Sequence, residues 1–155
     1  MDTFERAKDL YLKAQASYDK KDLSACGSLI SELKIALVEC TSFLPSAGSD
    51  PSTKEHCLAR SALELAVFYS IATKDIDSFE RYMKQLKPYY QDYEDKSTST
   101  YKEQMTGLYL LFLLAKNEVG KFHVELEKTH RGEDRYLVLV TQEHQVTLQP
   151  TLTFY

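Results

Sequence analysis

The residues in this sequence that could most readily act in catalysis or metal binding are four histidines and three cysteines, and none of them has the spacing of a known site. His123 and Glu127 stand four residues apart, so on a helix they would share one face and offer two ligands to a metal ion. No third ligand follows at a matching spacing, and we interpret the pair as part of a solvated polar face. His56 and Cys57 suggest a base and a nucleophile, but helical neighbours point about 100° apart. A small core cysteine is the simpler interpretation.

The rest of the composition argues against catalysis. No glycine-rich phosphate loop, G-x-S-x-G or H-E-x-x-H motif occurs. The sequence therefore predicts a protein that is not an enzyme, with no catalytic residue, cofactor site, metal site or small-molecule substrate.

Charge, hydropathy and cysteine usage limit the partners and the compartment. A net charge of -4 gives no general attraction to nucleic acid or to an anionic membrane. The longest apolar run, 108–115, is too short to cross a bilayer, and the charged N-terminus does not read as a secretory signal. Three widely spaced cysteines indicate a reducing compartment. We expect no nucleic-acid or membrane partner and a location in cytoplasm and nucleus.

Tyrosine is the unusual residue type, with 11 copies and no tryptophan. Tyr82, Tyr89, Tyr90 and Tyr93 fall close together, near several lysines. Because tyrosine is enriched at protein interfaces, these four form our candidate partner surface. Packing of the same rings between helices is the alternative. A platform for single-stranded RNA is opposed by the acidic residues that surround them.

Helical periodicity dominates residues 3–128, where apolar residues recur at spacings of three and four. We predict six helices, at about 3–18, 22–41, 52–73, 77–87, 100–116 and 119–128. Pro45, Gly48 and Pro51 mark a loop between the second and third helices. Lys96 to Thr100 is a polar linker.

Two of these helices carry specific expectations. Asp77, three residues before Glu80, resembles a capping box at the start of the fourth helix, which we expect to end near Pro88. The fifth helix is the most apolar and is apolar on most sides, so we expect it to be buried, with Leu108 and Phe112 in the core.

A repeated helix start organises the chain. Lys21-Asp22-Leu23 and Lys74-Asp75-Ile76 lie 53 residues apart, and the same apolar positions follow each of them. The turn before Val119 opens a third helix with this pattern, 43 residues after Ile76. The repeats predict an all-α, irregular TPR-like stack of helical hairpins, an α-solenoid, over residues 1–128. Residues 129–155 are expected to form a short divergent tail, non-helical or disordered and possessing β-prone segments.

Three sequence blocks carry a resemblance to a known family. They are FLP at 43–45, KDIDSFERYMKQLKPYYQDY at 74–93, and GLYLLFLLAKN at 107–117 followed by FHVELE at 122–127. In this order they resemble the family of non-ATPase regulatory subunit 8 of the 26S proteasome, a PCI-type lid component. The similarity covers about residues 33–127, and the second block is its most specific part.

The resemblance implies a non-catalytic scaffold subunit of the proteasome regulatory particle, whose partners are other lid subunits and whose work supports ubiquitin-dependent proteolysis. It also implies a helical-repeat part followed by a winged helix. This chain leaves the family pattern at about Lys128, so we expect the winged helix to be absent and lid binding to be weakened. The alternative is a subunit of a sister PCI complex, the signalosome or translation initiation factor 3.

Overall fold

The computed structural model describes residues 3–40, 53–92 and 99–129, and it consists there of six α-helices without a strand. The predicted all-α fold class is confirmed. The predicted tail, apart from Thr129, and most of the loop predicted between the second and third helices lie outside the described residues. The helices are α1 (Thr3–Asp19), α2 (Leu23–Glu39), α3 (Thr53–Ala72), α4 (Ile76–Asp92), α5 (Lys102–Ala115) and α6 (Val119–Thr129).

The same turn joins the two helices of each hairpin. Lys21, Lys74 and Asn117 have φ angles of 60°, 58° and 59°, in the left-handed region where glycine is the usual residue. In each turn the next residue donates its backbone N–H to a carbonyl five residues earlier: Asp22 to Ser17, Asp75 to Ser70 and Glu118 to Leu113, at 2.9–3.0 Å. These are Schellman caps, which satisfy carbonyls that the ending helix leaves open.

The residue that closes one helix also opens the next. The carbonyls of Asp22, Asp75 and Glu118 accept the first helical hydrogen bonds of α2, α4 and α6, from Cys26, Phe79 and Phe122, each at 3.0 Å. These three donors are buried, with 0%, 6% and 0% of their surface exposed. The repeated start predicted from the sequence is therefore one backbone motif that delivers one core residue per hairpin.

Asp75, not Asp77, caps α4, which corrects the predicted capping box. Asp75 Oδ1 accepts the backbone N–H of Ser78 at 3.1 Å, and its Oδ2 accepts the Ser78 hydroxyl at 2.6 Å. The helix begins at Ile76, so Asp77 already lies in its first turn. Asp22 caps α2 in the matching way by accepting from the Ala25 N–H at 3.2 Å.

The chain divides into two compact units, of which the first contains α1 to α4. Its two hairpins pack through α2 and α3, and α1 also contacts α3. One core cluster joins these three helices; its members are Ala7, Leu10, Leu33, Ala36, Leu37, Ala59 and Ala62. The alanines allow the helix backbones to approach closely.

Helix α3 is central to the first unit. Residues 62–67 of α3 are buried without a break, including Glu64. Since α1, α2 and α4 all contact α3, little of its surface is left to water.

Pro88 does not end α4 as predicted but lies inside it. Its missing N–H removes one helical hydrogen bond, a cost of about 3 kcal/mol or more in a helix interior. Packing on both sides of Pro88 offsets this loss: Leu86 is fully buried, and Tyr89 packs on the core cluster of the first unit. The proline ring itself is exposed.

The second unit contains the hairpin of α5 and α6. Met105, Leu110, Leu113 and Phe122 are at most 1% exposed. Phe112 is only half-buried, as is Leu108, so the expectation for these two residues was wrong. The Phe112 ring stacks on Tyr109 at 6.0 Å, and Lys116 Nζ lies 5.1 Å from its centre. On a helix that is apolar nearly all round, the sequence pattern does not identify the side that faces the core.

The left-handed turn leads to a stability prediction. Lys74→Gly should raise the free energy of unfolding by about 1 kcal/mol, because a β-carbon is unfavourable at this φ angle. Urea denaturation followed by circular dichroism measures the change. The control is Lys84→Gly on the exposed face of α4, which should lower stability by about 1 kcal/mol. A loss of stability in both variants would show that Lys74 is not in the left-handed conformation.

The α4 cap predicts a dependence on acid. Hydrogen bonds from the Ser78 hydroxyl and backbone N–H lower the pKa of Asp75, and Arg81 adds a smaller effect. A carboxyl whose pKa is lower in the folded state stabilises the fold above its unfolded pKa of about 3.9 and loses this contribution as pH falls through the folded value. The urea midpoint of wild type should therefore exceed that of Asp75→Asn, and the difference should be larger at pH 6 than at pH 3.

The variant Ser78→Ala provides the control for the acid effect. It retains the carboxyl but lacks the hydroxyl that contributes most to the lowered pKa. Its stability should depend less on pH between 6 and 3 than that of wild type. An equal pH dependence in all three proteins would contradict the cap.

Candidate partner surface

Tyr82 joins α2 to α4. Its ring is buried, with 6% of the residue exposed, and its hydroxyl accepts a hydrogen bond from Lys34 Nζ at 2.8 Å. The same ammonium lies 5.1 Å from the ring centre, and the guanidinium carbon of Arg81 lies 5.4 Å from it. The Lys34 ammonium lies at the hydroxyl edge of the ring, where the hydrogen bond holds it, and the Arg81 guanidinium is close enough for a cation–π attraction. Tyr82 therefore positions Lys34 and Arg81 at one place on the surface.

An open groove lies beside Tyr82, with a volume of about 440 Å³. Gly27 allows one wall to form, because a β-carbon there would collide with the Tyr69 hydroxyl. The floor is buried Ile30, and hydroxyl groups dominate the rest. The lining residues are Ser24, Gly27, Ser28, Ile30, Ser31, Lys34, Tyr69 and Tyr82.

Tyr90 donates a hydrogen bond to a buried carboxylate. Its hydroxyl donates to Glu64 Oε1 at 2.7 Å, across the contact between α3 and α4. Glu64 is 4% exposed, and Arg60 Nε lies 4.0 Å from the same oxygen, with only 12% of its side chain exposed. A buried carboxylate requires such partners, because an uncompensated charge in the interior is costly.

Tyr89 makes its contacts with the core of the first unit and with His56. It packs on the core cluster of the first unit, and the His56 ring meets it edge-on at a centroid distance of 6.1 Å. Tyr93 lies outside the described residues. The three described tyrosines thus share α4 but make separate contacts within the first unit. The partner surface formed by Tyr82, Tyr89, Tyr90 and Tyr93 stays a prediction.

The outward face of α2 carries exposed aliphatic side chains that were not among the predicted site residues. Ile35 and Val38 are 61% and 60% exposed, which is unusual for aliphatic residues at adjacent turns of one helix. The signal is present in the sequence: both residues fall outside the buried positions Ile30, Leu33 and Leu37.

Of the residues considered for chemistry, Cys57 is half-buried on α3, and the contacts of Cys26 and His123 are with neighbouring helix groups. The buried Cys26 thiol lies 3.6 Å from the Ala14 carbonyl, and burial, with a smaller effect of Asp22, raises its pKa. A thiol of this kind is a poor nucleophile. The His123 ring contacts Phe122 edge-on at 5.4 Å. Within residues 3–40, 53–92 and 99–129, no group of three histidine, cysteine or acidic side chains is arranged to hold a metal ion.

Comparison with known proteins confirms the family resemblance. The chain is 40% identical over 126 residues to 26S proteasome non-ATPase regulatory subunit 8 homolog A of Arabidopsis thaliana, which covers 80% of this chain and 45% of that protein. It is 37% identical over 110 residues to 26S proteasome regulatory subunit rpn12 of Schizosaccharomyces pombe, covering 71% and 38% of the two chains. The match to the Saccharomyces cerevisiae subunit of the same name is 37% over 114 residues, covering 72% and 42%.

The chain thus spans less than half the length of these relatives. No protein-family model matches it. In the part of the chain that the structure describes, none of the helices combines the length and hydropathy needed to span a membrane.

The bond between Tyr90 and Glu64 predicts a structural role for this tyrosine. Tyr90→Phe should lower the free energy of unfolding by about 1.5–3 kcal/mol, because the buried carboxylate loses a hydrogen-bond donor. Urea denaturation measures the loss. Tyr18→Phe is the control: this half-buried ring contacts Phe68 at 6.4 Å, and we expect a change below about 0.5 kcal/mol. Equal, small changes in both variants would exclude the role.

Proposed function

We propose, from its homology to regulatory subunits of the 26S proteasome, that the chain is a non-catalytic scaffold subunit of the regulatory particle lid, which supports ubiquitin-dependent protein degradation. The observation that carries the proposal is the 40% identity over 126 residues to non-ATPase regulatory subunit 8 homolog A. Other lid subunits are the proposed partners.

The helical hairpins are consistent with this role. Stacked hairpins bury one face on their neighbours and offer extended surfaces to other proteins. In the first unit, two hairpins pack in this way and leave Ile35 and Val38 of α2 exposed at the surface. Binding by shape and packing requires no catalytic group.

The same proposal covers the remaining features of the chain. We assign residues 1–128 to the helical-repeat domain and 129–155 to a divergent tail, and we place the protein in cytoplasm and nucleus. We propose no cofactor and no nucleic-acid, membrane or small-molecule partner; the net charge of -4 supports the first two of these partner exclusions.

Two other functions are alternatives to a proteasome lid subunit. A subunit of the signalosome or of translation initiation factor 3 would be built from similar hairpins, but the segment 74–93 favours the proteasome. A small helical enzyme that uses His123 or Cys57 would need an acid–base set around one of them. The sequence shows no such convergent set around either residue.

Affinity purification from cells tests the proposed function. The tagged chain should recover proteasome lid subunits at least tenfold above subunits of the signalosome and of translation initiation factor 3. Quantitative mass spectrometry gives these ratios, and it also gives the stoichiometry of the chain relative to the lid. Enrichment of a sister complex instead of the lid would overturn the proposal.

The tyrosine surface is tested in the same purification. Tyr89→Ala should reduce lid recovery by more than its loss of stability explains, because Tyr89 is half-buried and keeps part of its ring at the surface. Tyr90→Phe is the matched control, since it changes the stability through Glu64 while it leaves the ring in place. If recovery falls only in proportion to stability, Tyr89 is a packing residue.

A further inference from the structure

The outward face of α2 presents one continuous line of side chains. Ser24, Ser28, Ser31, Ile35 and Val38 follow one another at spacings of four, three, four and three residues, and all five are exposed. This alternation averages 3.5 residues, the period at which one helix packs along another. The line begins with small hydroxyl residues and ends with the two exposed aliphatic residues.

The groove runs along the first part of this line. Its lining includes Ser24, Ser28 and Ser31 on the α2 side, with Tyr69 and Tyr82 opposite. The small serines leave room for the larger side chains of an incoming helix. Beyond the groove, Ile35 and Val38 give that helix an apolar contact. Concavity and apolar surface therefore lie along one axis.

The two edges of the line carry opposite charge. Lys34 lines the groove on one side of α2. Glu32 is exposed on the other flank, where Glu39 also lies and pairs with Arg6 of α1 at 3.8 Å. The Lys34 ammonium has three N–H donors, of which one bonds the Tyr82 hydroxyl, so the same group can also bind a carboxylate.

We infer that this groove and the line leading from it bind an amphipathic α-helix of a partner protein. The occupant has an apolar stripe that meets Ile35 and Val38. An acidic edge faces Lys34, and a basic edge faces Glu32. The inference rests on the proposed function, because it specifies how a scaffold subunit would hold a segment of a neighbour in the regulatory particle.

A helix fits these observations better than an extended strand. A strand presents its side chains at a period of two and needs backbone groups to pair with, whereas α2 has its own backbone hydrogen bonds satisfied within the helix. Helix-in-groove recognition instead uses side chains at spacings of three and four, as here. Opposite charges along the two edges then favour one direction of the bound helix over the other.

Site-specific photocross-linking of the full chain in cells tests this inference. A photoreactive benzoylphenylalanine replaces Ser28 in the groove, and mass spectrometry identifies the cross-linked peptide. It should derive from an amphipathic helix of a lid subunit. Ile35→Asp should reduce the cross-link by about tenfold or more, because it places a charge in the apolar contact.

Two controls separate the groove from the rest of the surface. Leu12→Asp makes the same kind of change at an aliphatic residue of α1 that is 53% exposed, and it should alter the cross-link by less than about twofold. The photoreactive residue at exposed Gln15 should not give the same peptide. Thermal unfolding of Ile35→Asp and Leu12→Asp shows whether each variant remains folded.

Each outcome separates the groove from the proposed function. Recovery of lid subunits without a cross-link from position 28, or with one that Ile35→Asp leaves unchanged, would overturn the inference and leave the proposed function intact. A cross-link to a second copy, or within the same chain, would also overturn it. An Ile35-dependent cross-link to an amphipathic helix outside the regulatory particle would support the groove and contradict the lid assignment.

Discussion

One residue in the left-handed conformation, followed by an acidic residue, determines the geometry of each hairpin. Lys21, Lys74 and Asn117 reverse the chain, while Asp22, Asp75 and Glu118 close one helix and start the next. Because no spare residue separates the two helices, the second must leave the turn in a fixed direction. The first buried side chain of each second helix then lies at the same distance from the turn. Core packing in both units begins from this constraint.

The groove follows from the way the two hairpins of the first unit meet. Gly27 allows Tyr69 to come close to α2, and the Lys34–Tyr82 bond holds α2 to α4 further along. Between these two points, the serines of α2 are too small to fill the space. Buried Ile30 thus forms the floor of the groove, and the two hairpins are separated at the protein surface. A concave surface arises without any loop or insertion.

Much of this architecture could be predicted from the sequence. The 53-residue repeat located the hairpins, since apolar period and turn residues are local signals. The errors have a common cause. Pro88 stays helical, and Leu108 and Phe112 are only half-buried, because tertiary packing outweighs local preference in both cases. The tyrosine surface stays a prediction, and the bonds of two of its hydroxyls to Lys34 and Glu64 could not be foreseen, because they are long-range and leave no trace in spacing.

The sequence-local character of the hairpins also bears on how the chain reaches its fold. Each hairpin pairs helices that are adjacent in the sequence, and most of the long-range packing in the first unit passes through α3. Local contacts close with little loss of chain entropy, so proteins rich in them fold fast. During synthesis, α1 and α2 can pair before α3 has left the ribosome. The exposed Ile35 and Val38 would then be present at the surface of the nascent chain from the first hairpin onward, available to a chaperone or to an assembly partner before translation ends.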